Sequence, residues 1–191
     1  NRNISCNRWP DIYHAGGVWP FVFKAHSVLI CALLLIATYF DLRFREVPAW
    51  LTLTALLGSG VFAVFHGLWM PALLTVILCL VSEMTIPAQR RSFAAVLSAF
   101  AAIFEPASAL FCLALFTIWF LWDLDKMGGA DMKLMTAVIL AFGSPMVLLP
   151  ITLVGGLQGL VAYFRKQSSV PYVFSIFLGT LLYTVVPLIL K

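Results

Sequence analysis

The amino-acid sequence predicts an all-α, polytopic membrane helix bundle of about eight spans, within a range of six to eight, with both chain termini outside. Of its 191 residues, 62% are hydrophobic and only 10% are charged, and the mean hydropathy is +1.01. A soluble domain has roughly 45–50% apolar and about 25% charged residues. This chain is therefore too apolar to present a water-exposed surface. At about 20 residues per span, it has room for six to eight helices.

Apolar runs alternate with short polar or proline-containing segments along the chain. The predicted spans are 21–40, 50–65, 71–86, 93–104, 107–122, 133–142, 147–164 and 172–190. Breaks are expected at Glu105-Pro106 and at Gly143-Ser-Pro145, because proline cannot continue a helix. Residues 1–20 are polar and contain two Pro and two Gly. We therefore expect an extramembrane N-terminal segment, 1–20, followed by one membrane-embedded domain, 21–191.

Basic residues are concentrated in alternate loops. Segments 41–48, 87–91, 123–133 and 165–171 carry eight of the twelve Lys and Arg residues, whereas the short loops between them carry none. Loops rich in Lys and Arg stay in the cytoplasm. The distribution predicts that these four segments face the cytoplasm and that the protein lies in the plasma (inner) membrane. No basic cluster interleaved with aromatic residues is found, so we expect no nucleic-acid partner.

The four cysteines favour neither a metal site nor a disulfide framework. They stand at positions 6, 31, 79 and 112, far apart and without a C-x-x-C pair. Three of them lie in apolar runs, where cysteine behaves as a small hydrophobic residue. We therefore expect no metal and no cofactor.

Two of the eight acidic residues coincide with predicted cytoplasmic ends of spans. Asp41 follows the first span and Asp131 precedes the sixth, 90 positions later. A carboxylate in a membrane is costly and usually functional. Two carboxyl groups that meet in a partly dehydrated site share one proton, so that one donates a proton while the other activates water. The pair indicates aspartic peptidase chemistry, although either residue alone would equally fit a helix cap.

Several neighbouring residues are candidates for supporting roles. Gly128, Gly129 and Ala130 are small enough for a substrate strand to approach the backbone closely, or for helices to pack. Lys133 would favour ionisation of one aspartate or would snorkel to the interface. Asp123 and Asp125 would attract a basic peptide or would be solvated helix ends. Glu83 is expected to pair with Arg90 and Arg91.

Three motifs resemble signatures of the type IV prepilin peptidases. Segment 41–51 (DLRFREVPAWL) resembles the first signature of that family, and 127–134 (MGGADMKL) resembles its G-x-G-D-x-K-L motif. Segment 170–179 (VPYVFSIFLG) resembles a late span of the family. The three occur in family order and extend from roughly residue 21 to the C-terminus. Ala49 and Ala130 depart from the usual Asn and Gly, and the separation between the aspartates is long.

This resemblance implies a GxGD-type aspartic peptidase with Asp41 and Asp131 as the catalytic pair. It implies cleavage of the short basic leader of a pilin-like or preflagellin-like precursor at the cytoplasmic face. Arg43, Arg45 and Pro48 of the first signature become supporting candidates. Longer family members carry paired C-x-x-C motifs and also methylate their product. This chain lacks such pairs, so we expect cleavage without methylation, as in Flp/Tad-type or preflagellin peptidases.

Two other functions compete with this interpretation. A non-enzymatic scaffold or transporter subunit would use the aspartates for structure or ion passage, but transporters typically show internal repeats, and none is evident. A presenilin-like protease would keep the aspartate pair and cut within a transmembrane helix. The basic D-x-R-x-R-x-V-P signature favours the pilin-like precursor.

Overall fold

The computed structural model describes residues 19–166 and 171–189, which fold into eight α-helices without a strand. The helices are α1 (Trp19–Phe44), α2 (Ala49–Phe65), α3 (Trp69–Val81), α4 (Pro87–Phe104), α5 (Ala109–Asp123), α6 (Gly129–Phe142), α7 (Leu148–Phe164) and α8 (Tyr172–Ile189). Short 3₁₀ turns, Pro106–Ser108 and Pro145–Val147, precede α5 and α7. The predicted all-helical class is confirmed. Most of the predicted extramembrane segment, residues 1–18, lies outside the described residues.

Within residues 19–166 and 171–189, three segments are long and apolar enough to cross a membrane. They are His26–Phe44, Pro106–Asp123 and Pro145–Phe164. Shorter apolar helices cover Ala49–Phe65, Trp69–Val81 and Tyr172–Val186. These features indicate a membrane protein. The eight-span count, the orientation of the termini and the identity of the membrane stay predictions.

Two of the expected breaks are confirmed, and four helix bounds differ from the predicted ones. Helix α4 begins at Pro87 instead of 93, so that the basic segment 87–91 is helical and not a loop, and α6 begins at Gly129 instead of 133. Helix α4 ends before Glu105-Pro106, and α6 ends at Gly143, whose φ of +58° is the left-handed conformation that glycine adopts readily. Helix α1 continues through Phe44, so that Asp41 lies inside its last turns instead of in a loop. Helix α3 ends at Val81, short of the predicted residue 86.

Helix α6 is the central helix of the bundle. Every residue from Leu134 to Phe142 is buried, and α6 contacts α1, α2, α3, α5 and α8. Among the described residues, each of the other seven helices exposes large apolar side chains, whereas α6 exposes none. A helix that is apolar on all sides is stable only when neighbours cover it. The outer helices therefore present the apolar surface of the bundle, and α6 lies at the centre of its core.

Helices α7 and α8 form a closely packed pair. A Cβ atom added at Gly179 would lie only 2.4 Å from Ile151 Cα, so the two backbones nearly touch. Gln158 of α7 donates to the Pro171 carbonyl at 3.2 Å and accepts a hydrogen bond from the Ser175 hydroxyl. Because α8 also packs along α1, this pair carries the start of α8 to the end of α1.

Candidate active site

Three helix ends meet at one end of the bundle. The last turns of α1 carry Asp41, the first turn of α6 carries Asp131, and the first turn of α8 carries Tyr172 and Val173. The Asp41 carboxylate is close enough to Asp131 to repel its negative charge. The Asp131 carboxylate in turn lies close to the Tyr172 phenol. Two carboxyl groups that are 90 positions apart in the sequence are therefore neighbours in the fold.

The start of α8 lies beside Asp41. The Val173 backbone N–H lies close to the Asp41 carboxyl group. Carboxyl atom Oδ2 of Asp41 is buried and has no hydrogen-bond partner among the described residues. Arg45 supplies a nearby positive charge, and its N–H bonds to the Asp41 carbonyl at 3.1 Å, where α1 ends in a left-handed residue.

Asp131 lies against the start of its own helix. Gly128 is the N-cap of α6, Asp131 is its third residue, and the Gly128 N–H lies close to the Asp131 carboxyl group. The arrangement resembles one half of a capping box, in which the third residue reaches back to the cap. A Cβ atom at Gly128 would lie 3.0 Å from Asp131 Oδ2. Gly128 has an ordinary extended backbone (φ −66°, ψ 149°), so glycine provides space here, not conformational freedom.

The environment of Asp131 favours its protonated form. Asp131 lies ahead of the predicted span 133–142. Burial, followed by repulsion from Asp41, raises the pKa of its carboxyl group to about 6, against the opposing effect of the Gly128 N–H. Like charges that share a site push one of the two groups toward neutrality. The pair is therefore suited to hold one proton up to about pH 6, and a shared proton is the state that acid–base hydrolysis requires.

The small residues before Asp131 do not form an open edge. Gly129 and Ala130 lie in the first turn of α6, and only Gly128 is extended. The described residues contain no strand, so the backbone pairing expected for an extended substrate has no counterpart at this position. The Gly129 position instead faces Trp122, whose Nε1 lies 3.5 Å from where a Cβ would stand.

The other supporting candidates of the two motifs lie in different parts of the fold. Arg43 lies on the exposed face of α1, where it donates to the Tyr39 hydroxyl at 3.0 Å. Pro48 is the N-cap of α2, and its carbonyl accepts from the Leu51 N–H at 3.0 Å. Lys133 is half-buried and its charge acts on Cys79 of α3. Arg45, by contrast, places its positive charge close to Asp41.

Arg90 and Arg91 pair with Asp123, and not with Glu83 as the sequence led us to expect. Arg91 Nε lies 2.5 Å from Asp123 Oδ2, and Arg90 forms a second ion pair with the same buried carboxylate. Glu83 is exposed. The reason is tertiary, because the packing of α4 on α5 brings the end of α5 to the start of α4. Asp123 is thus engaged within the fold, whereas Asp125 is exposed.

Sequence reasoning missed the contribution of α8 to the site. Val173 and Tyr172 are apolar or aromatic residues in a motif that was noted only for its family resemblance. Every residue except proline has a backbone N–H, so the sequence does not mark the one that lies near Asp41. The one available signal was Pro171, because proline often precedes a helix whose first N–H groups have no partner within the helix.

Together, the fold and the site define a helical protein whose described residues include three segments fit to cross a membrane. An aspartate pair lies where the end of α1 meets the start of the central helix. No known protein family, curated protein or solved structure matched the chain. Assignment of function therefore rests on the site itself.

Proposed function

We propose that the protein is a membrane aspartic endopeptidase that removes the short basic leader of a pilin-like precursor at the cytoplasmic face. The observation that carries the proposal is the meeting of Asp41 and Asp131 at one end of the bundle. A backbone N–H lies close to each carboxyl group, that of Val173 to Asp41 and that of Gly128 to Asp131. The resemblance of segments 41–51 and 127–134 to prepilin peptidase signatures supports the same assignment.

The proposed mechanism uses the pair as one acid–base unit. One carboxylate accepts a proton from a water molecule as that water attacks the scissile carbonyl carbon. The protonated carboxyl group donates its proton to the carbonyl oxygen, which gives a tetrahedral gem-diol. As the C–N bond breaks, the carboxyl group that took the proton from water protonates the leaving amine, and the gem-diol returns a proton to the other carboxylate. Because the two groups titrate together, separate acid and base roles are not assigned.

The proposed location of the cut follows from the helix ends. A precursor with a basic leader and an apolar helix would keep the helix in lipid and present the junction at the membrane boundary. In the predicted topology, Asp41 and Asp131 lie at that boundary on the cytoplasmic side. Asp125 is exposed beside this end and would attract a basic leader.

A cleavage assay in membranes tests the proposal. A precursor with a basic leader ending in Gly, followed by an apolar helix, is co-expressed with the wild type, Asp41→Asn, Asp131→Asn or Glu83→Gln. We expect each aspartate substitution to lower cleavage by roughly 10³-fold or more, as for residues that act as one catalytic unit. Glu83→Gln removes an exposed carboxylate outside the pair, and we expect wild-type cleavage from it.

The outcomes separate the alternatives when membrane insertion of each variant is confirmed. Full cleavage by an inserted Asp41→Asn or Asp131→Asn protein would show that the pair is not catalytic. Failure of the wild type to cut any of a varied precursor panel would favour the scaffold. Mass spectrometry of the product locates the cut, and a site within the apolar helix would favour a presenilin-like protease.

A further inference from the structure

A small cavity of about 10 Å³ lies inside the bundle, where α3, α5 and α6 meet. Each of these helices brings one residue with a polar side-chain group to the lining, Thr75, Trp119 and Thr136 respectively, and all three residues are buried. The other lining residues are apolar, apart from Cys79. A cavity of roughly 10–15 Å³, measured as the space open to the centre of a water molecule, is the smallest that holds one water. The cavity is therefore the size of a single water molecule.

Trp119 brings a buried hydrogen-bond donor to this cavity. The residue is 1% exposed, and its indole Nε1 has no hydrogen-bond partner among the described residues. An indole N–H can donate but cannot accept. A buried donor without an acceptor is costly, and it has no access to solvent inside a bundle with an apolar exterior. An acceptor within the cavity would remove this cost.

Two threonine hydroxyls add acceptors to the same lining. Thr75 Oγ1 donates to the Pro71 carbonyl at 2.9 Å, so its proton is engaged while its oxygen still accepts. Thr136 lies in the buried part of α6, five residues after Asp131, and its hydroxyl oxygen also accepts. Neither α3 nor α6 therefore has to rearrange for its threonine to accept a hydrogen bond from a molecule in the cavity.

We infer that the cavity binds one water molecule, which accepts a hydrogen bond from Trp119 Nε1 and donates to Thr75 Oγ1 and Thr136 Oγ1. Buried waters typically make about three hydrogen bonds, so these three partners satisfy it. The water joins α3 and α5 to the central helix. Met132, the neighbour of Asp131, also lines the cavity, so the water supports the first turns of α6. The inference goes beyond the proposed function and does not depend on it.

Other contents fit these side chains less well. Cavities that stay dry are lined by apolar side chains, whereas this one has an indole N–H and two hydroxyl groups. A cation would lie beside the Trp119 N–H, which can only donate. An anion would lack a counter-charge, because no lining residue is charged. A water molecule both accepts and donates, as the three groups together require.

Nuclear magnetic resonance of the indole N–H tests the inference directly. The whole protein is labelled with ¹⁵N-tryptophan in detergent, and the Trp119 signal is identified by its loss in Trp119→Phe. We expect a rotating-frame Overhauser contact between Trp119 Hε1 and water, with the sign of a dipolar contact and not of proton exchange with solvent. The absence of a dipolar contact for Trp119 overturns the inference.

Removal of one acceptor provides a second, independent measurement. Thr136→Val keeps the shape of the side chain and removes the hydroxyl group, so the water loses one partner. We expect the Tm to fall by roughly 2–4 °C, the shift that corresponds to about one hydrogen bond in a protein of this size. In a dry cavity the same substitution would remove an unpaired polar group and leave the Tm unchanged or higher. An unchanged or higher Tm therefore overturns the inference.

A matched threonine separates this effect from the general effect of the substitution. Thr117 is exposed on α5, and its hydroxyl bonds to the Leu113 carbonyl of its own helix at 2.8 Å. We expect Thr117→Val to change the Tm little and to keep the water contact of Trp119. The double variant Thr75→Val, Thr136→Val should lose that contact, and its persistence would overturn the inference. None of these measurements uses cleavage, so their outcomes are independent of the peptidase assignment.

Discussion

Gly128 stands where any larger residue would crowd the Asp131 carboxyl group. We expect Gly128→Ala to displace that group, because the new Cβ would lie 3.0 Å from Asp131 Oδ2, and to lower the cleavage rate by roughly tenfold or more. Gly129→Ala offers a matched contrast, since its Cβ would make an ordinary 3.5 Å contact with Trp122. Cleavage rates of both variants in membranes check the prediction, and equal rates would contradict it.

The carboxyl group of Asp131 is expected to lower the stability of the fold at neutral pH. Its pKa is raised from an ordinary 3.8 to about 6 in the folded protein. Between about pH 4 and pH 6 the unfolded chain has released this proton and the folded chain retains it. Folded stability therefore falls as pH rises through that window and stays lower above it. At about 1.4 kcal/mol per pKa unit, the full loss is about 3 kcal/mol.

Thermal unfolding in detergent measures this loss. Asp131→Asn removes the ionisable group and keeps an oxygen beside the Gly128 N–H. We expect the Asn variant to be more stable than the wild type at pH 7, and the difference to vanish near pH 4. A difference that stays constant over the whole pH range would contradict the assignment of the raised pKa to Asp131.

The individual aspartates were readable from the sequence, but their surroundings were not. Asp41 and Asp131 stood out because acidic residues are rare in an apolar chain, and the positive charges placed them on one predicted side. The Val173 N–H and the Tyr172 phenol belong to α8, 42 and 41 residues after Asp131 in the sequence. No local pattern reports such a contact, because it depends on how α8 packs against α1. The catalytic role of the pair stays a prediction.

At the scale of helices, the cluster of Arg90, Arg91 and Asp123 joins the start of α4 to the end of α5. Arg90 also donates to the Ser82 carbonyl at 3.3 Å and lies over the Trp122 ring at 5.9 Å. Trp122 in turn lies against Gly129 in the first turn of α6. The cluster thus supports the helix start that carries Asp131.

Removal of the shared carboxylate should loosen this support. We expect Asp123→Asn to destabilise the protein by roughly 3 kcal/mol, because two arginines lose the buried charge that they share. Glu83→Gln is the matched control, because the sequence predicted Glu83 as the partner of the two arginines. We expect this substitution to change the free energy of unfolding little. Unfolding in detergent checks both variants. A larger loss from Glu83→Gln would restore the pairing inferred from sequence spacing.

Gly179 sets the distance between α7 and α8. We expect Gly179→Ala to force the helices apart, because its Cβ would lie 2.4 Å from Ile151 Cα, at a cost of roughly 1–3 kcal/mol for overpacking. The shift would also move Val173 relative to Asp41, so cleavage should fall together with stability. Gly156→Ala on the exposed face of α7 is the control, and equal stability of the two variants would contradict the prediction.

At the scale of the whole molecule, hydropathy and proline positions predicted the class and nearly all helix positions. Those signals are local, since each depends on runs of apolar residues and on helix breakers such as Pro106 and Pro145. The central place of α6 was not predicted. Its 14 residues include Asp131 and Lys133, so its composition is less apolar than those of α2, α3, α5 and α8, which pack around it. Burial on all sides is a property of the assembled bundle and leaves no periodic pattern to detect.

The number of helices that cross the membrane depends most on α4. Its 18 residues span about 27 Å, close to the roughly 30 Å thickness of the hydrocarbon core. However, Arg90 and Arg91 in its first turns lower its hydropathy, and α4 is not among the three segments that are apolar enough to cross. The eight-span topology requires α4 to cross, because the basic segment 87–91 then lies in the cytoplasm and segment 105–106 outside. A helix lying along the surface would leave both ends on one side.

Cysteine labelling decides between these arrangements. Gln89→Cys and Ala107→Cys place single exposed thiols at the two ends of α4, in a protein whose native cysteines are replaced by Ala. In intact cells, we expect a membrane-impermeant maleimide to label position 107 and to reach position 89 only after the membrane is opened. Labelling of both positions from outside, or of neither, would show that α4 does not cross. In that case, the positive charges at 87–91 would not mark a cytoplasmic segment between two spans. The only remaining support for placing Asp41 and Asp131 on the same side of the membrane would be their proximity in the fold.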